Sequence, residues 1–233
     1  MTLAATVAPL AAYALVFQTL LYASLPAGLR TRVAPVVTGL VGAGLTIAAG
    51  LLFGFQNVGL LGGSASTPLA WGVSAVAMTA LIGIVMMSRE EWTSQLADPR
   101  LAALSSREAF GQIFVRIPVF TALIEEAFFR GVLHAALMAL YPVEVAIWLG
   151  AGLFGLWHIG PGLDQARAGA KSWTASTAHT VVTVIAMTAA GAFLVWLRIE
   201  TGSIWAPVAI HAGINMTMAI MSRAVARRYL VEA

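Results

Sequence analysis

The chain has 233 residues, 60% of them hydrophobic and 10% charged, with a mean hydropathy of +0.87. That balance excludes an ordinary soluble domain and marks an integral membrane protein. The formal charge of +3 does not point to nucleic acid, because the arginines are spread between apolar stretches instead of forming a basic stripe. The absence of cysteine excludes disulfides, thiolate catalysis, Cys-zinc sites and lipidation at cysteine.

About 20 apolar residues cross a bilayer. On that measure the chain divides into seven predicted spans, at 3–25, 33–55, 69–87, 113–140, 143–159, 177–197 and 203–222. An eighth piece would have to be short or re-entrant. No Lys or Arg precedes the first span, so it lacks the basic flank of a cleaved signal peptide and is expected to stay in the protein. Pro26, Gly62-Gly63, Pro68, Pro142, the run Gly160-Pro161-Gly162 and Gly202 fall at or near the predicted breaks. The expected class is therefore all-α: a polytopic helical bundle forming one membrane domain over residues 1–233.

Basic residues alternate with these spans. One set of loops holds Arg30, Arg32, Arg89, Arg100, Arg107, Arg167, Lys171, Arg223, Arg227 and Arg228, with Arg116 at the entry of the fourth span; the other holds Arg198. The asymmetry predicts an N-terminus outside and a C-terminus in the cytoplasm, in a plasma or inner membrane. The longest loop, "SREEWTSQLADPRLAALSSREAF", offers Asp98 as an N-cap with Pro99 at the first helical position, and predicts a helix on the cytoplasmic surface.

The fourth span carries charge at bilayer depth, in "IEEAFFRGVL". A carboxylate there is costly unless it is paired, protonated or exposed to a water-filled cavity. Glu126 and Arg130 are four apart with the acid N-terminal, the favourable order for an ion pair, and that pairing leaves Glu125 as the unpaired carboxylate. A desolvated carboxylate beside a cation can be tuned as a general base.

Histidine adds two more polar faces. Phe154 and His158 are four apart in "FGLWHIGPG", where Gly160-Pro161 is expected to end the helix, and His211 and Asn215 are four apart in "APVAIHAGIN". Three spans that each present such a group within the bilayer predict a site. His134 is nine residues from Glu125 and points away from it, and His179 reads as an interfacial residue. Trp148, Trp157, Trp196 and Trp205 read as packing or interfacial anchors.

Taken together, these motifs resemble the CPBP family of intramembrane proteases, which includes the type II CAAX prenyl endopeptidases and the CAAX protease self-immunity proteins. The family pattern is Glu-Glu-x-x-x-Arg, then Phe-x-x-x-His, then His-x-x-x-Asn or Asp. Here it reads Glu125-Glu126 to Arg130, Phe154 to His158, and His211 to Asn215, within residues 113–220. The resemblance implies a helical fold around a cavity open to the cytoplasm and to lipid, and peptide-bond hydrolysis inside it.

By position, it makes Glu125 the base that activates water, His158 a group that holds the water, and His211 and Asn215 the oxyanion donors. Glu126, Arg130 and Phe154 are supporting residues. No obligatory cofactor is expected; if zinc or another divalent metal is used, His158 and His211 are its first candidate ligands, although the zincin motif His-Glu-x-x-His is absent. The expected partners are a peptide or protein substrate, lipid-modified in some family members, and membrane lipid. The alternative is a non-catalytic peptide-binding immunity or receptor protein. A transporter would also explain intramembrane charge, but the related halves common in such proteins are not visible.

Overall fold

The computed structural model describes residues 10, 12, 13, 25, 27–64, 66–168 and 172–232. Among them every regular element is helical. In chain order these are α1 (Ala27–Phe53), α2 (Ser66–Met87), the short α3 (Glu90–Leu96), α4 (Pro99–Ala102) and α5 (Ser106–Gly111), then α6 (Gln112–Leu123), α7 (Ile124–Glu126), α8 (Ala127–Leu133) and α9 (His134–Met138). They are followed by α10 (Val143–Trp157), α11 (Ile159–Ala168), α12 (Trp173–Thr201) and α13 (Trp205–Glu232). Helices α6 and α8 are π-wound. Pro118 lies inside α6; its ring cannot donate and displaces the preceding turn, a mismatch that wider winding accommodates.

Four helical stretches are long and apolar enough to cross a membrane: Ser66–Met87, Val143–Leu163, Trp173–Thr201 and Trp205–Arg228. They coincide with the third, fifth, sixth and seventh predicted spans. The second predicted span holds a shorter apolar stretch, Val36–Leu52, and the fourth is divided among α6 to α9. The first lies outside the described residues apart from Leu10, Ala12, Tyr13 and Leu25.

One predicted helix end moves. The break falls at His158 itself, and Gly160-Pro161-Gly162 lies inside the first turn of α11. A proline is tolerated there because the first N–H groups of a helix have no intrahelical acceptor to lose. Pro142 before α10 and Gly202, which closes α12 with a left-handed φ of 64°, do act as breaks.

The chain packs as two compact units. The first comprises residues 1–62 and 125–204, the second residues 63–124 and 205–233. In the first, α10 and α12 approach closely at glycines: a side chain on Gly191 would meet Ala151 and Phe154 at 3.2 Å, and one on Gly155 would meet the Val184 carbonyl at 2.7 Å. The loop after α1 is tucked in, with Val58 fully buried and its carbonyl against Gly131. Arg198 donates to the Asn57 carbonyl at 3.2 Å, and Ile204 N–H to the Gly59 carbonyl at 3.0 Å.

In the second unit, α2 packs on α13 through Gly72 and Gly213, small residues that let helix backbones meet. Leu69, Val73, Val76, Ala212 and Met216 line an apolar groove between them. Arg223 and Arg227 of α13 donate to the Leu101 and Leu104 carbonyls in the loop of short helices. That loop caps as expected at Asp98, whose Oδ1 accepts the Arg100 N–H at 2.9 Å, although the helix it starts has only 4 residues. Ser105 and Glu108 add a reciprocal capping box at α5.

Candidate active site

Glu126 and Arg130 form the expected ion pair in the first unit: Nη1 donates to Oε1 at 3.1 Å, and both side chains are wholly buried. What surrounds the pair comes from elsewhere in the chain. The Arg130 guanidinium lies 4.0 Å above the centre of the Phe154 ring on α10, and its Nη2 donates to the Gly191 carbonyl on α12 at 3.4 Å. An aromatic face is a favourable seat for a desolvated guanidinium. Phe154 is thus a support of Arg130, and Gly191, which carries no chemistry of its own, supplies an acceptor and the room for α10 to approach.

Glu125 is half-buried, and its Oε2 is shielded from solvent without a hydrogen-bond partner. Glu126 Oε2 is shielded without a hydrogen-bond partner in the same way, so the two adjacent carboxylates differ in that Glu126 Oε1 holds Arg130. Phe129, four residues on, shares the helix face of Glu125. Phe128 meets Tyr13 edge-on at 4.9 Å, and Phe129 meets Phe154 at 5.0 Å and Trp157 at 5.5 Å.

His158 stands where α10 stops. Its backbone, at φ −87° and ψ 3°, occupies the sparsely populated bridge region in which many active-site residues sit. Its Nδ1 is 2.8 Å from the Phe154 carbonyl, and its ring lies edge-on to Phe154 at 4.7 Å. A bond of this kind fixes the imidazole and assigns the other nitrogen to whatever the ring serves, water or metal alike. Phe154 thereby joins two motifs: its ring carries Arg130 and its carbonyl holds His158.

His211 and Asn215 lie in the second unit, both half-buried on α13 and four residues apart. They share a face of that helix. Ala212 and Gly213, directly after His211, line the apolar groove against α2. Among the described residues no group of three or more His, Asp or Glu side chains is arranged to hold a metal ion. His134 is buried with Nδ1 unpartnered, and His179 is half-buried on α12.

Residues 108–217 match the family model described as "Type II CAAX prenyl endopeptidase Rce1-like". This stretch is similar to the Rce1-like CAAX endopeptidase family. It contains all three motifs, and the resemblance together with the apolar helices supports an integral membrane protein. No curated protein and no solved structure matches the chain. The matched stretch begins at Glu108, the acid of the α5 capping box, and ends at Thr217, two residues past Asn215 on α13.

Sequence reasoning missed Gly191 and Tyr13. Neither belongs to a charged or histidine motif. The signal for Gly191 was its place in a long apolar helix, where a glycine costs helix stability and implies a close approach.

Proposed function

We propose that this protein is an intramembrane endopeptidase in which Glu125 activates water against a peptide bond of a membrane-associated peptide or protein, lipid-modified or not. One observation carries the reading. Of two adjacent carboxylates whose Oε2 atoms are both shielded from solvent without a hydrogen-bond partner, Glu126 is committed to Arg130 through Oε1, whereas Glu125 has no such ion pair. A carboxylate with no cation committed to it is available to accept a proton from water, as a general base has to be.

In the proposed reaction Glu125 takes a proton from water, and the resulting hydroxide attacks the carbonyl carbon. His211 and Asn215 donate to the oxyanion of the tetrahedral intermediate, a kind of interaction worth about 3 to 4 kcal/mol per donor elsewhere. The intermediate then collapses with cleavage of the C–N bond, and Glu125 returns its proton to the leaving amine. His158, fixed through Phe154, orients the water. Glu126 and Arg130 hold the segment that carries Glu125. No obligatory metal is part of this scheme; if one is used, His158 and His211 are the residues to hold it.

The orientation we propose puts the N-terminus outside and the C-terminus in the cytoplasm. It is supported by pairings within each unit. Arg198 meets the loop after α1, both predicted outside, and Arg223 and Arg227 meet the loop of short helices, all predicted inside. A C-terminal reporter active only in the cytoplasm tests it.

The deciding experiment compares wild type with Glu125→Gln in liposomes, using a peptide library read by mass spectrometry with and without a chelator. Wild type is expected to cut, and the variant to lose about 10²-fold or more in rate. Loss of wild-type activity in the chelator arm would replace the metal-free scheme. Equal cutting by both proteins removes Glu125 from the reaction. If neither cuts any peptide while Glu125→Gln preserves the cellular phenotype, the peptide-binding reading takes its place.

A further inference from the structure

Trp157 was expected to be a packing or interfacial anchor. It is 4% exposed, inside the core of the first unit, and its indole Nε1 is shielded from solvent with no hydrogen-bond partner. Buried N–H groups nearly always find acceptors, so an orphan of this kind calls for an explanation.

Its surroundings indicate which. The Trp157 ring lies 5.8 Å from Tyr13 and 5.5 Å from Phe129. Tyr13 in turn meets Phe128 at 4.9 Å and feels the charge of Glu125. Phe129 stands on the Glu125 face of its helix. Through Phe129 the aromatic cluster therefore links the helix face of Glu125, whose Oε2 is an unsatisfied acceptor, to the Trp157 Nε1 donor. Tyr13 does not fill the donor role, because its hydroxyl donates to the Thr38 carbonyl at 3.0 Å.

We propose that the Trp157 indole N–H is a positioning group for the reaction, donating to the water from which Glu125 takes its proton. Such a water gives one hydrogen to the Glu125 carboxylate and accepts the indole hydrogen on one lone pair. Its second lone pair is then aimed at the substrate carbonyl. Trp157 directly precedes His158, so α10 ends in two consecutive groups that serve the same water. The inference rests on the reading of Glu125 as the base.

The test measures kcat, KM and thermal stability of Trp157→Phe, Trp157→His and Glu125→Gln in the full-length protein. Trp157→Phe keeps an aromatic ring and removes the donor; Trp157→His keeps a ring N–H. We expect Trp157→Phe to lose about tenfold or more in kcat, as misplaced reactants do, with KM within twofold, and Trp157→His to recover part of the loss.

A folded Trp157→Phe with wild-type kcat, beside an inactive Glu125→Gln, overturns this inference and leaves the reading of Glu125 intact. An active Glu125→Gln overturns that reading itself. If Trp157→Phe loses kcat and stability together and Trp157→His restores neither, or if neither variant folds, Trp157 is a packing residue and the proposal falls.

Discussion

Two acid–arginine pairs in this molecule have the same chemistry and opposite settings. Glu126 and Arg130 are wholly buried, four residues apart on one helix. Asp98 and Arg100 lie in the loop of short helices, two residues apart, with side-chain exposures of 24% and 47% and an Nη2–Oδ2 distance of 2.8 Å. The exposed pair has the shorter contact and more hydrogen bonds. Contact length is therefore a poor guide to what each pair does. Water already solvates the exposed ions, whereas each buried ion has only its partner and a few fixed neighbours.

The largest expected effect follows from that difference. Arg130→Met alone should cost about 3–5 kcal/mol by stranding a buried carboxylate, and Glu126→Leu combined with Arg130→Met should recover much of it. Unfolding in detergent measures both. If Arg130→Met costs no more than Arg100→Met, the contrast between the pairs disappears.

A second test probes the packing that encloses the buried pair. A methyl group on Gly155 would fall against the Val184 carbonyl and the Thr188 side chain, so Gly155→Ala should cost about 1–3 kcal/mol. Gly111, helical and with open space around it, is the control: Gly111→Ala should be neutral or stabilise by up to about 1 kcal/mol. Equal effects would mean that α10 and α12 are not held as tightly as their glycines imply.

The smallest effect belongs to the exposed pair. Burial pushes the Asp98 carboxyl up, but hydrogen bonds and charge from Arg100, with the backbone N–H groups of Arg100 and Leu101, outweigh it and hold the group below the ordinary carboxylate range. Because the folded value is the lower one, its contribution is present above the ordinary aspartate range and is lost as pH falls through it. Asp98→Asn should cost about 1 kcal/mol or less at neutral pH. The deficit should vanish in acid, so melting curves of variant and wild type converge as pH falls.

Much of the candidate site was legible in the sequence because its residues stand at helical spacing. Glu126 and Arg130 could be paired on paper since four residues return to the same helix face, and Glu125 followed as the remaining carboxylate. The Asp98 cap was legible for the same local reason, and so was the Ser105–Glu108 box, whose S-x-x-E pattern was present but not used. The end of α10 differs from the expectation because Pro161 fits the first turn of the next helix as well as it ends the last.

The sequence by itself determined that the chain lives in a membrane, which residues carry its charge and which acid Arg130 must choose. These follow from solvation and from neighbours within one helical turn. Only the tertiary structure decided what holds that choice in place. The Phe154 ring lies over Arg130, the Gly191 carbonyl accepts from it, and Tyr13 and Trp157 close the aromatic cluster on Phe128 and Phe129. Those contacts join helices 24 to 144 residues apart in the chain, between Arg130 and Phe154 at one extreme and Tyr13 and Trp157 at the other. No local periodicity encodes them, because at that range packing, not spacing, selects the neighbour.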